Sequence, residues 1–366
     1  MAIETIFDTW SQAAGSALVR QSTQTVIESM PRPARALAPI VPTTEDKIKL
    51  ERGRVNAVGL GKFKAIGASS PVYVPKLEFS QTEIELVQLS EQSPVDERLY
   101  RQLKSGDEKV RLRAGADLLA RLTALQVRNE NLSDWMVMTS LLTGYLPINF
   151  ADKAGQGFVV DHGYDPSHLL NPGATLPWTN PSTCKPIDDI RAGQQKLAND
   201  AGDYGIDIWM NDYTYQLLIY SNQAKDLLTG HDRGQYIATI DDIKARLYES
   251  ERVTIHVTDS GYRQESAAFA RGRGVHTKWI PDGKILMLAG GAGVDGVGFL
   301  GSDGLPVIEQ FDGQVLVRTG FDSVELRQGT QVEVKIDDSN TQSQYVTSTR
   351  MCRMNHPENV VVLTVV

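Results

Sequence analysis

DEKVRLRAGADLLARLTALQVRNENLSDWMVMTSLLT, residues 107–143, holds no proline and one glycine, Gly115, and its Leu, Ala, Arg, Met, Gln and Glu all favour helix. It reads as one helix from Asp107 to Thr143. At 1.5 Å per residue such a helix is roughly 55 Å long, several times the common globular length of about three turns. Leu118, Leu122, Leu125, Leu132 and Met136 recur along one side, and Leu119, Trp135, Leu141 and Leu142 widen the stripe. That face is expected to be buried, with Arg111, Arg113, Arg121, Arg128, Asp117 and Glu130 on the side turned to water. A coiled-coil arm is the competing reading, but no strict heptad is sustained over enough turns. The run is therefore the spine of one domain.

The rest of the chain is arranged around that spine. At 366 residues with a formal charge of −8, the protein has the length for two compact domains and lacks the cationic surplus of a dedicated nucleic-acid binder. Cys184 and Cys352 lie far apart without a C-x-x-C or Cys/His pattern, which suggests reduced thiols rather than a disulfide framework or a zinc site. No export leader is recognisable at the N-terminus, and no segment approaches the roughly eighteen apolar residues that a membrane span needs.

Between Ile3 and Met30, Ile3, Ile6, Phe7, Trp10, Ala14, Leu18, Val26 and Ile27 recur at helical spacing, predicting one or two amphipathic helices. Pro31, Pro33, Pro39 and Pro42 then predict an extended arm, since each proline removes a donor and restricts its neighbour. Lys47 to Glu91 alternates like paired strands around a glycine-punctuated middle at Gly59, Gly61 and Gly67, and reads as a long hairpin. A hairpin alone is marginal in water, so both arm and hairpin need a surface to lie on.

Behind the spine the spacing predicts a strand at Gly157–Asp161, a helix at Ile187–Asn199, a strand at Ile206–Met210, and helices at Tyr213–Leu228 and Ile240–Leu247. Strands follow at Val253–Val257, at Ile285–Leu288, in period-two form from Gln314 to Ile336, and at Val360–Val366. This is a compact mixed α/β region.

Candidate chemistry is sparse. Gly291-Ala-Gly293-Val-Asp-Gly296 fits G-x-G-x-x-G and follows an apolar strand, but glycines and Pro306 beyond it forbid the helix that would hold a pyrophosphate. A soluble α/β nucleotide-binding enzyme using Gly291–Gly296 is the alternative this motif leaves. Asp161, His162, Asp165 and His168 bring together metal-ligating types, but without a recognised ligand spacing, and Asp165-Pro166 is a turn signal. His231, His256, His276 and His356 are scattered, and no G-x-S-x-G elbow occurs. Asp188 with Asp189, and Asp241 with Asp242, sit where carboxylates favour the positive ends of helices. Arg32 and Arg35, with the spine arginines, could face a polyanion, although ion pairing at the surface is the commoner role. No residue is singled out as catalytic, metal-binding or cofactor-binding, and no cofactor is expected.

Trp178-Thr-Asn-Pro181 leading into Lys185-Pro-Ile-Asp-Asp-Ile-Arg191, Trp209-Met-Asn-Asp212, Trp279-Ile-Pro-Asp282-Gly-Lys-Ile-Leu286 and His356-Pro-Glu-Asn359 follow one another in an order that resembles the tailed-phage major capsid proteins of the phage lambda major capsid protein E family. The resemblance spans most of the chain. It implies an α+β fold of the Hong Kong 97 type, with an N-terminal arm at residues 1–46, an extended-loop hairpin at 47–91 and a peripheral domain at 92–185 containing the spine. An axial domain at 186–289 and a glycine-rich loop with strands returning to the peripheral domain at 290–366 complete it.

The implied role is that of a non-enzymatic major capsid protein, a homo-oligomer of hexamers and pentamers closing into an icosahedral shell around packaged double-stranded DNA. The implied partners are a scaffolding protein during assembly, and further a decoration protein, a portal and nonspecifically bound DNA, with no membrane. The implied location is the virion, after assembly in the host cytoplasm. Some capsids of this fold join a loop lysine to an asparagine; Lys62 and Lys64, with Asn355 and Asn359, are the candidates here, but activating the amine needs a buried acid, so assembly is expected to be noncovalent.

Overall fold

A computed structural model of the chain describes residues 32–56, 76–150, 157–202, 206–229, 244–245, 247–248, 252–264, 274–292, 298–301, 304–318, 324–336 and 342–366. The helices expected before Met30, the middle of the long hairpin, most of the expected Ile240–Leu247 helix and the centre of the glycine motif lie outside these residues.

The spine is a single α-helix, Glu108–Thr143, of 36 residues. Its ends are set chemically. The Asp107 side chain accepts from the Lys109 N–H, and Gly144, at φ 74°, donates its N–H to the Ser140 carbonyl. A left-handed residue of this kind closes a helix at little cost only when it is glycine.

The spine lies along a sheet whose hub is the 13-residue strand Gln342–Met354. Val87–Pro94, Gln331–Ile336 and Ile308–Asp312 all pair with the hub antiparallel, and Ile40–Pro42 joins Ile308–Asp312 in parallel. The end of the arm is thereby stitched into this sheet. Period-two reading finds Gln331–Ile336 but not the hub, because Gln, Ser, Thr and Arg break its apolar alternation. Gln314–Arg318 and Val324–Gln328 form a separate two-stranded hairpin.

A second sheet runs in the order Leu169–Leu170, Val360–Thr364, Lys284–Ala289, Ile206–Met210, Val253–Val257. Its two central strands explain their unbroken apolar sequences. Leu286, Leu288, Val360 and Val362 enter the core shared with the spine, whereas Ile285, Met287, Ala289, Val361 and Leu363 enter a second core under the helix Pro186–Asp200. With both faces buried, the strands are apolar throughout Ile285–Ala289 and Val360–Leu363, and only Lys284 and Thr364 at their paired ends are polar. Burial of this strand pair joins the two cores.

The expected helix from Tyr213 to Leu228 is two helices, Asp212–Tyr220 and Asn222–Thr229. Ser221 separates them in extended conformation; its hydroxyl donates to the Leu218 carbonyl and accepts from the Ala224 N–H, ending one helix and capping the next. The predicted strand Gly157–Asp161 has a partner that sequence reading missed, Tyr145–Asn149.

The long hairpin pairs Lys47–Asn56 with Lys76–Glu85, and among the described residues these two strands pair only with each other. They are rooted at one end. Ile48 and Ile84 enter the spine core, and Arg353 donates to the Lys49 carbonyl at 2.8 Å.

Two glycine substitutions on the spine are expected to act in opposite directions. Gly144→Ala places a Cβ 2.5 Å from the Tyr164 ring in a left-handed backbone, and should destabilise by at least about 1–2 kcal/mol. Gly115→Ala meets nothing within 4 Å inside the helix and should stabilise by about 0.5–1 kcal/mol. Thermal unfolding of the two variants checks the pair, and a shift in the same direction for both would contradict this account of the spine.

Candidate functional site

The spine face turned to the hub strand is polar in its middle. Asn129, Glu130, Ser133 and Asp134 are all buried there, so Glu130 does not lie on the wet side as its spacing suggested. Leu132, expected in the buried stripe, is 42% exposed. The interior stripe is offset from the leucine pattern because arginines arriving from two other segments receive the carboxylates.

Arg350, on the hub strand, forks onto Glu130 with Nη2 to Oε1 at 2.7 Å and Nη1 to Oε2 at 2.8 Å, and Nη1 also donates to the Ser133 hydroxyl. Its Nε lies 3.5 Å from Asp312. Arg35, from the short helix Pro33–Leu37, donates to Glu130 at 2.9 Å, and buried Arg32 pairs with Asp134. Gln310 donates to the Ser133 hydroxyl, Ser348 donates to Asn129 at 2.8 Å, and Asn129 donates to the Leu89 carbonyl. Three guanidinium groups thus meet three carboxylates where arm, spine and hub strand converge. Bidentate arginine is the geometry in which buried charge is best satisfied.

The electrostatics follow from this pairing. Burial alone would push the Glu130 carboxyl up, but Arg350 and then Arg35 outweigh it and hold it below its ordinary range. Burial dominates at Asp134 and Asp312, which are raised despite Arg32 and Arg350 respectively. Arg32 and Arg35, read from sequence as candidates for a polyanion or surface pairs, are instead the clasp by which the arm is held.

The remaining candidates take structural positions. His162 Nε2 meets the Ser140 hydroxyl at 2.9 Å, and that hydroxyl also meets the Cys352 thiol at 3.2 Å. This His, Ser and Cys grouping is invisible in sequence, and all three side chains are fully buried. Burial pushes the Cys352 thiol up to about 11, which leaves it unreactive as a thiolate near neutrality. His168 bridges the Val360 carbonyl and Asp200 at 2.8 Å each, while Asp165 caps the short turn at Ser167. Among the described residues no group of three or more His, Cys, Asp or Glu side chains is arranged to hold a metal ion, and no helix is long and apolar enough to cross a membrane.

Asp189 accepts from the Trp178 indole at 2.8 Å in the first turn of its helix, and burial raises its carboxyl. Asp241 and Asp242, His231, and Lys62 and Lys64 lie outside the described residues. Asn355 donates to the Pro306 carbonyl, and Asn359 is buried with its amide on the Ala289 carbonyl. Around the glycine motif, Gly291–Ala292 pairs with Phe299–Leu300. A strand therefore stands three residues after Gly296, where a dinucleotide site requires a helix.

Residues 38–297 match the model of a family described as phage major capsid protein E. No curated protein matches the chain in sequence. Among solved structures, a protein assigned as the capsid protein of a prophage in Escherichia coli CFT073 aligns at a TM-score of 0.52 and 10% identity, covering 95% of this chain and 99% of its own. A phage-related protein from Bordetella bronchiseptica RB50 aligns at 0.50 and 13% identity, covering 95% and 96%. At such identities the likeness speaks for the fold, an α+β capsid fold of the Hong Kong 97 type.

The clasp makes two predictions. Arg350→Ala strands Glu130 and Asp312 in the interior and should cost about 3–5 kcal/mol in denaturant unfolding; a loss below 1 kcal/mol would contradict the pairing. Glu130, with a lowered folded value, gives stability that is complete above its ordinary 4.5 and lost as the pH falls through the folded value. Raised Asp134 and Asp312 have the opposite sign, their contribution being complete in acid and lost as the pH rises. Glu130→Gln should therefore melt lower at neutral pH and lose less Tm than wild type between about pH 5 and pH 3. Parallel Tm curves would refute the assignment.

Proposed function

We propose, from the premise that this chain belongs to the phage major capsid protein E family, that it builds the shell through arm and hairpin contacts with its neighbours in hexamers and pentamers. The chain is the capsid protein of a tailed phage and a component of the virion, and it assembles as a multimer. The nucleotide-enzyme reading of Gly291–Gly296 has no support, since strand replaces the helix it needs. The role is structural rather than catalytic.

One observation carries the proposal. Among the described residues the arm is clasped to the spine from Arg32 onward, and the long hairpin is rooted by Ile48, Ile84 and Arg353, while its strands pair only with each other. An extended pair of strands without a second layer is marginal alone, and covering by identical neighbours supplies the missing burial. Heterologous contacts that close into rings are the symmetry such a shell uses.

On this reading residues 1–46 are the arm, 47–91 the extended loop, 92–185 the peripheral domain, 186–289 the axial domain and 290–366 the return to the peripheral domain. The two cores on either side of the Lys284–Ala289 and Val360–Thr364 pair support a division into peripheral and axial parts. A scaffolding protein during assembly in the host cytoplasm, a portal, a decoration protein and the packaged double-stranded DNA are the partners this role implies. On this reading assembly is noncovalent, supported by both candidate asparagines having engaged amides, Asn355 on the Pro306 carbonyl and Asn359 on the Ala289 carbonyl.

Co-expression with the phage's scaffolding protein should give hexamers, pentamers or closed shells by negative stain and sedimentation, and a single subunit band on a denaturing gel of the particles. A persistently monomeric product would overturn the proposal, and a ladder of cross-linked species would overturn the noncovalent part.

A further inference from the structure

The long hairpin differs in chemistry between its root and the segment that joins its strands. At the root, Lys47 stands opposite Glu85 and Lys49 opposite Glu83. A groove runs from there to the strand Gly157–Asp161, lined by Lys47, Glu83, Glu85, Phe158, Val159 and Asp161 among others. Lys47 is the one cation among the lining residues, 3.6 Å from Glu83 and 3.7 Å from Glu85, and all three lining carboxylates are exposed. Exposed Glu45 and Asp46 precede Lys47 and exposed Lys49 follows it, so carboxylates outnumber cations around the groove as well as in it. Arg353, which reaches the Lys49 carbonyl, is engaged by Glu309 at 2.8 Å. Val159 is 63% exposed, and Tyr145, on the strand paired with it, 44%. The root therefore presents apolar surface inside an acidic rim, the composition of a contact surface.

Residues 57–75, which join the two strands, have the complementary composition. They contain Lys62 and Lys64 and no Asp or Glu, and Leu60, Phe63 and Ile66 stand between and beside the lysines. A basic apolar segment and an acidic apolar groove thus belong to the same hairpin.

The hairpin keeps them apart. Its paired strands run from Lys47 and Glu85 to Asn56 and Lys76, about 30 Å at 3.3 Å per residue. To return to its own root, residues 57–75 would have to spend about nine residues in each limb at full extension. We infer that residues 57–75 of one copy occupy the groove beside Val159 on a second copy, with Lys62 and Lys64 against Glu83, Glu85 and Asp161. Groove meeting groove about a two-fold axis would set carboxylate against carboxylate, so the contact joins two different surfaces, the heterologous kind that propagates into rings and shells. Opposite charge sets its orientation, and Val159 with the apolar residues beside the lysines supplies its buried centre. The inference rests on the shell-building role proposed above and names one contact that carries it.

Charge reversal tests it in the full chain co-expressed with the scaffolding protein. Lys62→Glu with Lys64→Glu, and separately Glu83→Lys with Glu85→Lys, should each lower shell yield at least tenfold while the unassembled subunit keeps the circular dichroism of wild type. All four substitutions in one chain should restore the yield. Phe63→Cys with Val159→Cys should give disulfide-linked dimers and longer species from oxidised shells on a non-reducing gel, since both native thiols are buried; this pair decides the matter if a reversed chain fails to fold. If wild type assembles and the folded reversed chains assemble equally well, or the fourfold variant stays impaired, or no disulfide forms, this contact is wrong while the shell-building role stands. A disulfide closed within one chain, seen as a monomer of altered mobility, would give the groove to the chain's own segment and overturn the inference. A wild type that never assembles would overturn both.

Discussion

Two carboxylates on the buried side of the spine, Glu130 and Asp134, constrain everything packed around them. Ionised groups removed from water are tolerated only when partnered in good geometry, and the partners here come from far away in sequence: Arg350 from the hub strand, Arg32 and Arg35 from the arm. The arm cannot lift, nor the hub strand slip by one residue, without leaving charge unpaired inside. A one-residue slip would also turn Arg350 to the opposite face of its sheet. The seam thus fixes register as well as cohesion.

Apolar burial supplies most of the stabilisation, and it is arranged differently. Lys284–Ala289 and Val360–Thr364 are buried on both faces and hold two cores together, so the spine region and the helix–strand region behind it share a wall. The hairpin enters the spine core at its root through Ile48 and Ile84, and the far end of the spine does so through Leu141, whereas Leu112 near its start is exposed. Exposed Leu112 and Val159 on either side of a long rod, and strands that among the described residues pair only with each other, are liabilities for an isolated subunit. They suit a subunit of a shell, where neighbours cover them.

Chemically suggestive residues were absorbed into the architecture. The His162, Ser140 and Cys352 contacts join elements that fold together from distant positions, and burial keeps the thiol protonated. His168 similarly ties a turn to Val360 and Asp200. Buried polar side chains of this kind satisfy one another, and satisfaction rather than reactivity accounts for them.

The sequence by itself determined the spine, because helix propensity, an acidic cap and a closing glycine all act within a few residues of one another. It also determined the doubly buried strands, whose unbroken apolar runs have one structural meaning, and the ordered tryptophan and proline segments that carry the family likeness. Only the tertiary structure decided the hub strand, the inward turn of Glu130, the outward turn of Leu132 and the break at Ser221. Each depends on a partner more than local spacing can specify: a polar strand is buried when a polar helix face meets it, and a glutamate points inward when an arginine 220 positions away is waiting there. Local periodicity records the average cost of putting a residue in water or out of it, and it cannot record which distant charge will arrive to change that cost.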